Sequence, residues 1–109
     1  MLNKSERLGR SDFTTFFKKG KRFHSDHATL VFTPFPTFHG SVVVSKKVHK
    51  QAIVRNTLRR RIYALLRNAA KKNLIGVYII VLKPTFKALT KHQGAAEIQN
   101  LIERIIKSS

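Results

Sequence analysis

Residues 77–82 form an uninterrupted apolar run, and this run restricts the possible folds more than any other feature of the sequence. It is far shorter than the roughly 20 residues that a membrane crossing needs. A short apolar run without alternation is typical of a central β-strand covered on both faces. Pro84 ends the run, because proline has no N–H to donate to a sheet. The sequence therefore predicts a sheet with helices packed against it.

Periodicity and residues that favour element ends predict the remaining elements. Phe13, Phe16 and Phe17 lie at helical spacing after Ser11, a favourable N-cap, and Gly20 ends this helix. The predicted elements are a helix at about 12–19, strands at 21–24, 28–35 and 41–45 with a turn at 37–40, a helix at 51–72, a strand at 77–82 and a helix from about 90 to 107.

The predicted helix at 51–72 has an apolar face opposite a polar one, with Arg55 and Arg61 at the borders. Thr90 and Gln93 form a capping box at the beginning of the last helix. The apolar face of the helix at 51–72 comprises Val54, Leu58, Ile62, Leu65, Leu66 and Ala69, and its polar face comprises Asn56, Arg59, Arg60, Tyr63 and Arg67. The residues of the last helix that are predicted to face inward are Ile98, Leu101, Ile102, Ile105 and Ile106.

The element order is α-β-β-β-α-β-α, which predicts a two-layer α/β (α+β) sandwich with about four strands and three helices. A chain of 109 residues is long enough for one domain. We expect a single domain over 1–109, in which residues 1–10 form an extended basic arm.

The charge of the chain predicts a polyanionic partner. Lys and Arg number 22 against five Asp and Glu, the formal net charge is +17, and residues 27–96 contain no carboxylate. Solvated surfaces normally mix both signs, whereas a strongly basic domain commonly binds nucleic acid. The alternative is a cationic surface that only confers solubility. A membrane partner is not expected, because no strongly basic amphipathic helix carries large exposed apolar residues.

The residue types argue against a catalytic or metal site in the polypeptide. The chain has no cysteine, five histidines and no carboxylate between residues 27 and 96. General acid–base catalysis and two-metal hydrolysis both need positioned histidines or carboxylates. No signal peptide is visible, so a soluble cytoplasmic protein is expected.

The basic stretch 46–72 is the strongest candidate for RNA binding. It contains ten Lys or Arg residues and no acid, whereas a solvated helix face normally includes Glu for i,i+4 pairing. A guanidinium group can bond two phosphate oxygens, and an Asn side chain can bond base edges or 2′-hydroxyls. The predicted RNA-binding residues are Lys46, Lys47, Lys50, Arg55, Asn56, Arg59, Arg60 and Arg67.

Phe13, Phe16 and Phe17 lie on a helix too short to bury every side of itself. Their spacing is typical of core residues. Aromatic rings beside a basic surface also stack on unpaired bases. Both roles stay open for these rings.

Two groups of residues form recognisable motifs. The first comprises Leu8, Asp12-Phe13, Phe17 and Gly20; the second comprises Val44-Ser45-Lys46-Lys47, Ala52 and Arg55-Asn56-Thr57-Leu58-Arg59-Arg60, with Lys83-Pro84 and Leu89-Thr90 further along. Both motifs resemble the protein subunit of bacterial ribonuclease P, and the resemblance spans nearly the whole chain. In three places the chain departs from the family pattern: Thr57 stands where arginine is usual, Tyr63 where a basic residue is usual, and Val31 where an aromatic residue is frequent. Arg61 partly restores the charge.

The resemblance implies a left-handed β-α-β crossover, against the usual preference. It implies that catalysis, the endonucleolytic removal of the 5′ leader from precursor tRNA, belongs to an RNA subunit. Mg²⁺ would be held mainly by that RNA and the substrate. The protein would bind the catalytic RNA through its arginine-rich helix and hold the single-stranded leader between the first helix and the sheet. Phe13, Phe17 and Val31 are then the leader-binding candidates, and no membrane or obligate protein partner is expected.

Two other functions fit the same composition. A small structural RNA-binding protein of the ribosomal type would share the charge but have no role in processing. A protein-only nuclease would cleave RNA with Mg²⁺ in the absence of any RNA subunit.

Overall fold

The computed structural model describes residues 6–108. Its element order is the predicted one, and a short 3₁₀ helix at Pro84–Ala88 precedes the last helix. The elements are α1 (Arg10–Lys19), β1 (Lys21–His24), β2 (Ala28–Thr33), β3 (Phe38–Val43), α2 (Ala52–Lys71), β4 (Gly76–Leu82) and α3 (Lys91–Ser108).

The strand order is β1-β2-β4-β3, which makes β4 a central strand as predicted. β1–β2 and β2–β4 are antiparallel, whereas β3–β4 is parallel. The parallel pair is joined through α2, which packs on the face that carries Leu30 and Ile80. The β3–α2–β4 crossover therefore links two neighbouring parallel strands, with β2 on the far side of β4. Its left-handed sense stays a prediction from the resemblance.

The two faces of the sheet are covered by different helices. On one face α2 and α3 cover Ala28 and Leu30, and on the other α1 covers Val31 and Ile79. Successive residues of β2 therefore alternate between the two faces of the sheet. In β4 the Tyr78 hydroxyl donates to Ile75 O at 3.0 Å, and burial raises the pKa of this tyrosine above its ordinary value.

Several boundaries in the first half of the chain differ from the prediction. β2 ends at Thr33 and β3 at Val43, each two residues earlier than predicted. α1 begins at Arg10 with Gly9 at the N-cap position, so Ser11 is inside the helix. The predicted turn at 37–40 is wrong, since β3 begins at Phe38. That ring is buried beside Tyr78, with 5.6 Å between the ring centroids. The contact between Phe38 and Tyr78 therefore extends β3 into residues whose local sequence indicates a turn.

The segment that precedes α1 lies beside β3. Arg7 forms a parallel bridge with Gly40, whose N–H donates to Glu6 O at 2.9 Å. The predicted arm over 1–10 thus includes one helical residue, Arg10, and residues 1–5 of it lie outside the described part.

α3 begins with the predicted capping box. Thr90 N donates to Gln93 Oε1 at 2.9 Å, and Gln93 N donates to Thr90 Oγ1 at 3.1 Å. Gly94 lets the helix approach the Phe86 ring, because a Cβ at residue 94 would lie 2.9 Å from its Cζ atom. The inward prediction for Ile106 is wrong: this side chain is 48% exposed.

A carboxylate on α3 fixes the turn between β1 and β2. Glu97 Oε2 accepts hydrogen bonds from Ser25 Oγ at 2.5 Å and from His27 N at 2.8 Å. Lys83 Nζ donates to Ser25 O at 2.7 Å. These contacts tie the β1–β2 hairpin to α3 and to the end of β4.

Candidate RNA interface

The loop between β3 and α2 presents three lysines on a fixed backbone. Val44 and Val48 are buried, and Val48 N donates to Ser45 O at 3.0 Å, which closes a tight turn. The lysines alternate with these anchors and are exposed. They are Lys46, Lys47 and Lys50.

Arg55 joins this loop to α2. Its Nη1 atom donates to His49 O and to Lys50 O, both at 2.9 Å. The side chain is half-buried. Arg55 is therefore a positioning residue for the lysine loop, a role that its place in the sequence motif does not reveal.

The outer side of α2 carries the other predicted RNA-binding residues. Arg59 Nη2 donates to Asn56 Oδ1, so these two side chains orient each other. Arg60 and Arg67 are exposed, and Arg59 is half-buried. Because α2 has no carboxylate, its arginines have no acidic partner within their own helix. The exposed guanidinium groups of Arg60 and Arg67 can each bond two phosphate oxygens.

Tyr63 does not belong to this basic surface, and its assignment to the polar face of the helix is wrong. The ring packs against the core, and its hydroxyl accepts a hydrogen bond from Val42 N at 3.2 Å. Val42 lies in β3, an edge strand, so its N–H can bond a side chain outside the sheet. Helical periodicity does not predict this contact.

Phe13 and Phe17 of α1 and Val43 and Val81 of the sheet are partly exposed and pack on the same buried cluster. We refer to this surface as the aromatic cleft. Phe13 and Phe17 stack with 5.4 Å between ring centroids and 11° between ring planes. The Arg22 guanidinium lies 4.5 Å from the centroid of Phe17, and its Nη2 donates to Phe17 O at 2.9 Å. Both rings are half-buried. A ring pair of this kind, capped by a guanidinium, offers an apolar and cationic surface to a base and its phosphate.

Val31 is not exposed in this cleft, contrary to the prediction that it contacts the leader. Its side chain is 1% exposed and lies beneath α1. The partly exposed aliphatic residues on this face are Val43 and Val81, which pair at the ends of β3 and β4. Val43 lies three residues before Lys46, so the cleft extends toward the lysine loop.

Sequence reasoning missed Arg22. The predicted hairpin could have indicated this residue. When strands at 21–24 and 28–35 are joined by a short turn, Arg22 pairs with Val31. Cross-strand partners share a face of the sheet. The register therefore places a guanidinium on the face that α1 covers.

The described residues contain no cluster of three or more His, Cys, Asp or Glu side chains that could hold a metal ion. Within residues 6–108, none of the helices combines the length and the apolar character that a membrane crossing requires.

A cationic loop and helix beside an aromatic cleft, on one small α/β sandwich, define a basic protein of the RNA-binding class. The family model that matches is Ribonuclease P, over residues 2–106. The chain belongs to this family, the protein components of ribonuclease P, whose members are subunits of a tRNA-processing ribonucleoprotein enzyme.

Sequence relatives agree with this assignment, and solved structures share the fold. The ribonuclease P protein component of Microcystis aeruginosa is 37% identical over 83 residues, which cover 69% of this chain and 68% of the relative. That of Nitratiruptor sp. is 32% identical over 94 residues, covering 86% and 85%. The RNase P protein from Thermotoga maritima has a TM-score of 0.77 at 23% identity, covering 91% of this chain and 96% of that chain. A mutant RNase P protein of Staphylococcus aureus has a TM-score of 0.83 at 21% identity, covering 94% and 89%.

Proposed function

We propose that the lysine loop and the outer side of α2 bind the catalytic RNA of ribonuclease P. The support is a set of exposed and half-buried cations from Lys46 to Arg67 with no carboxylate among them. Arg55 holds the loop against the helix, so the cations act from a rigid surface. Each phosphate that such a surface neutralises releases counterions and adds to affinity.

The aromatic cleft holds the single-stranded 5′ leader of precursor tRNA in this proposal. The observation that carries it is the stacked pair Phe13–Phe17 with Arg22 over Phe17. Unpaired bases stack on aromatic rings regardless of sequence. A leader that runs from the lysine loop past Val43 would meet these rings next.

Mg²⁺ belongs to the RNA subunit and the substrate in this proposal. Magnesium takes oxygen ligands, commonly carboxylates, and the described residues bring no such cluster together. Glu97, one of the few acids, already accepts hydrogen bonds from Ser25 and His27. The polypeptide, acting in the cytoplasm as a single RNA-binding domain, therefore binds and orients the substrate, and no step is assigned to an ion on the protein.

Replacement of Phe17 tests the leader site. In the complex with the cognate RNA, Phe17→Ala should lower affinity for leader-bearing tRNA about fivefold to a hundredfold, since stacking contributes about 1–3 kcal/mol per base. Mature tRNA, which has no leader, should bind as before. Phe17→Leu keeps apolar volume without a ring and should show the same selective loss.

Thermal unfolding of both variants separates stacking from packing. A cavity left by a core phenylalanine costs about 3–5 kcal/mol. Equal losses for both tRNA forms, together with a sharply lower melting temperature for Phe17→Ala and full recovery in Phe17→Leu, would assign the ring to the core and reject the leader site.

A further inference from the structure

A second aromatic cluster lies against α1, built from Phe16, Phe35 and His39. Phe16 and Phe35 meet edge to face, with 5.6 Å between centroids and 84° between planes. Phe35 and His39 meet in the same way, at 5.4 Å and 75°. Phe35 is 39% exposed, so part of its ring faces solvent. We refer to these three residues as the Phe35 cluster.

The Phe35 cluster and the cleft lie on opposite flanks of α1. Phe17 contacts Arg22 of β1, whereas Phe16, one residue earlier, contacts the loop between β2 and β3. The pairing of β3 with β4 also separates the Phe35 cluster from the cleft, along the direction of the strands. His39 pairs with Val77 near the beginning of β4, while the residues that extend the cleft pair at the end of that strand. A single strand bound in the cleft would have to cross α1 to reach the Phe35 cluster.

The loop that carries Phe35 has little conformational freedom. Pro34 and Pro36 flank the ring, so both of their φ angles are fixed and the residue before each is restricted to extended conformations. Thr37 Oγ1 lies 2.8 Å from His39 Nε2 in a hydrogen bond that holds the imidazole beside Phe35. A surface already ordered loses little entropy on binding. This rigidity suits a stacking surface.

Charged groups of both signs lie near the cluster. Lys19 Nζ lies 5.6 Å from the centroid of Phe16. Asp12 lies one helical turn before Phe16 on the same side of α1, and Arg7 bridges Gly40, next to His39. Phe35 itself is uncharged, so its contribution to binding would be stacking, with no release of counterions. This separates it from α2, where phosphate neutralisation dominates.

We propose that the Phe35 cluster is a second stacking site, which holds an unpaired nucleotide of the substrate leader farther from the cleavage point than the nucleotides at Phe17. The inference rests on the proposed leader-binding function. It adds a contact that only long leaders can make, so the chain discriminates among precursor tRNAs by leader length.

The test uses the complex of the full chain with its cognate RNA and precursor tRNAs whose leaders are lengthened by single nucleotides. Three variants are compared with the wild type: Phe35→Ala, Phe35→Leu and Phe35→Tyr. Ala and Leu should weaken binding about fivefold to a hundredfold once the leader is long enough to pass α1, and should leave short leaders unaffected. Tyr, which keeps the ring, should bind like the wild type. The slope of log affinity against log salt should be the same in all four proteins.

The Phe35→Leu variant distinguishes two roles of the Phe35 ring, stacking on a base of the leader and packing against Phe16. If Phe35→Leu binds every leader like the wild type, or if both apolar variants lose affinity equally at all lengths, the ring only packs and the second site is rejected. Phe17→Ala, measured with the same series of leaders, tests the proposed leader site independently of the Phe35 cluster. Selective loss in Phe17→Ala without loss in the Phe35 variants overturns the second site alone, whereas no selective loss in any variant overturns the proposed leader binding as well.

Discussion

Val31 lies under α1, where Gly20 packs so closely against it that no Cβ would fit at residue 20. Val31→Tyr restores the aromatic residue that is frequent in the family, but it has no space to occupy here. Overpacking of this kind costs about 1–3 kcal/mol. We expect a lower midpoint in urea unfolding for Val31→Tyr.

The matched control is Val43→Tyr, because Val43 lies on the same face and is partly exposed. Its unfolding midpoint should stay near that of the wild type. A Val31→Tyr protein of unchanged stability that also binds leader-bearing tRNA more tightly would return residue 31 to the wall of the cleft.

At residue level, the sequence predicts which side of a strand a residue lies on better than how deeply it is buried. Alternation in β2 correctly separates Leu30 from Val31. The depth of Val31 depends on where α1 lies, which is set by the packing of Phe13, Phe16 and Phe17. The edge-to-face contact of Phe35 with Phe16 is likewise tertiary, and no local sequence pattern predicts it.

The basic side of α2 makes an electrostatic prediction. Replacing Arg59 and Arg60 together with Ala should weaken binding of the catalytic RNA and reduce the slope of log affinity against log salt by up to about two units, because two phosphates regain their counterions. Titrations at a series of salt concentrations measure the slope. Lys87→Ala with Lys107→Ala removes the same charge from exposed positions outside α2 and should leave the slope unchanged. Equal slopes for both double variants would mean that α2 faces away from the RNA.

The β1–β2 hairpin should depend on a single carboxylate of α3. Glu97→Gln keeps the shape of the side chain but weakens the hydrogen bonds from Ser25 and His27, which have a charged acceptor in the native protein. We expect a loss of about 1–3 kcal/mol in the free energy of unfolding. Glu103→Gln, an exposed change on the same helix, should stay within about 0.5 kcal/mol of the wild type. Equal stabilities would show that the hairpin is fixed by packing alone.

Elements with strong internal patterns were predictable, and elements defined by distant partners were not. The apolar stripe of α2 and the capping box of α3 are local signals, and both are found in the structure. β3 begins within a stretch whose composition indicates a turn, because Phe38 enters the core and Gly40 pairs with the segment before α1. The order of the elements along the chain and the family motifs together predict the fold. Neither predicts the polar contacts of Arg55.

The whole molecule should not cleave RNA without its RNA partner. Protein refolded free of RNA, mixed with precursor tRNA and Mg²⁺, should give no accurate 5′ cleavage, because no cluster of three or more metal-binding side chains occurs among residues 6–108. Addition of the cognate RNA should restore cleavage, which a purely structural ribosomal-type protein would not support. Accurate cleavage that survives treatment of the protein with ribonuclease would instead identify a protein-only nuclease.

The outer edge of β3 has a consequence for the chain at high local concentration. Its N–H groups at Gly40 and Val42 are bonded to Glu6 O and to the Tyr63 hydroxyl. With a formal charge of +17, free copies repel one another, and bound RNA cancels that repulsion. An unprotected strand edge would then be free to pair with a second copy and begin aggregation. Covering these donors within the chain keeps the charge-neutralised protein from polymerising through its sheet.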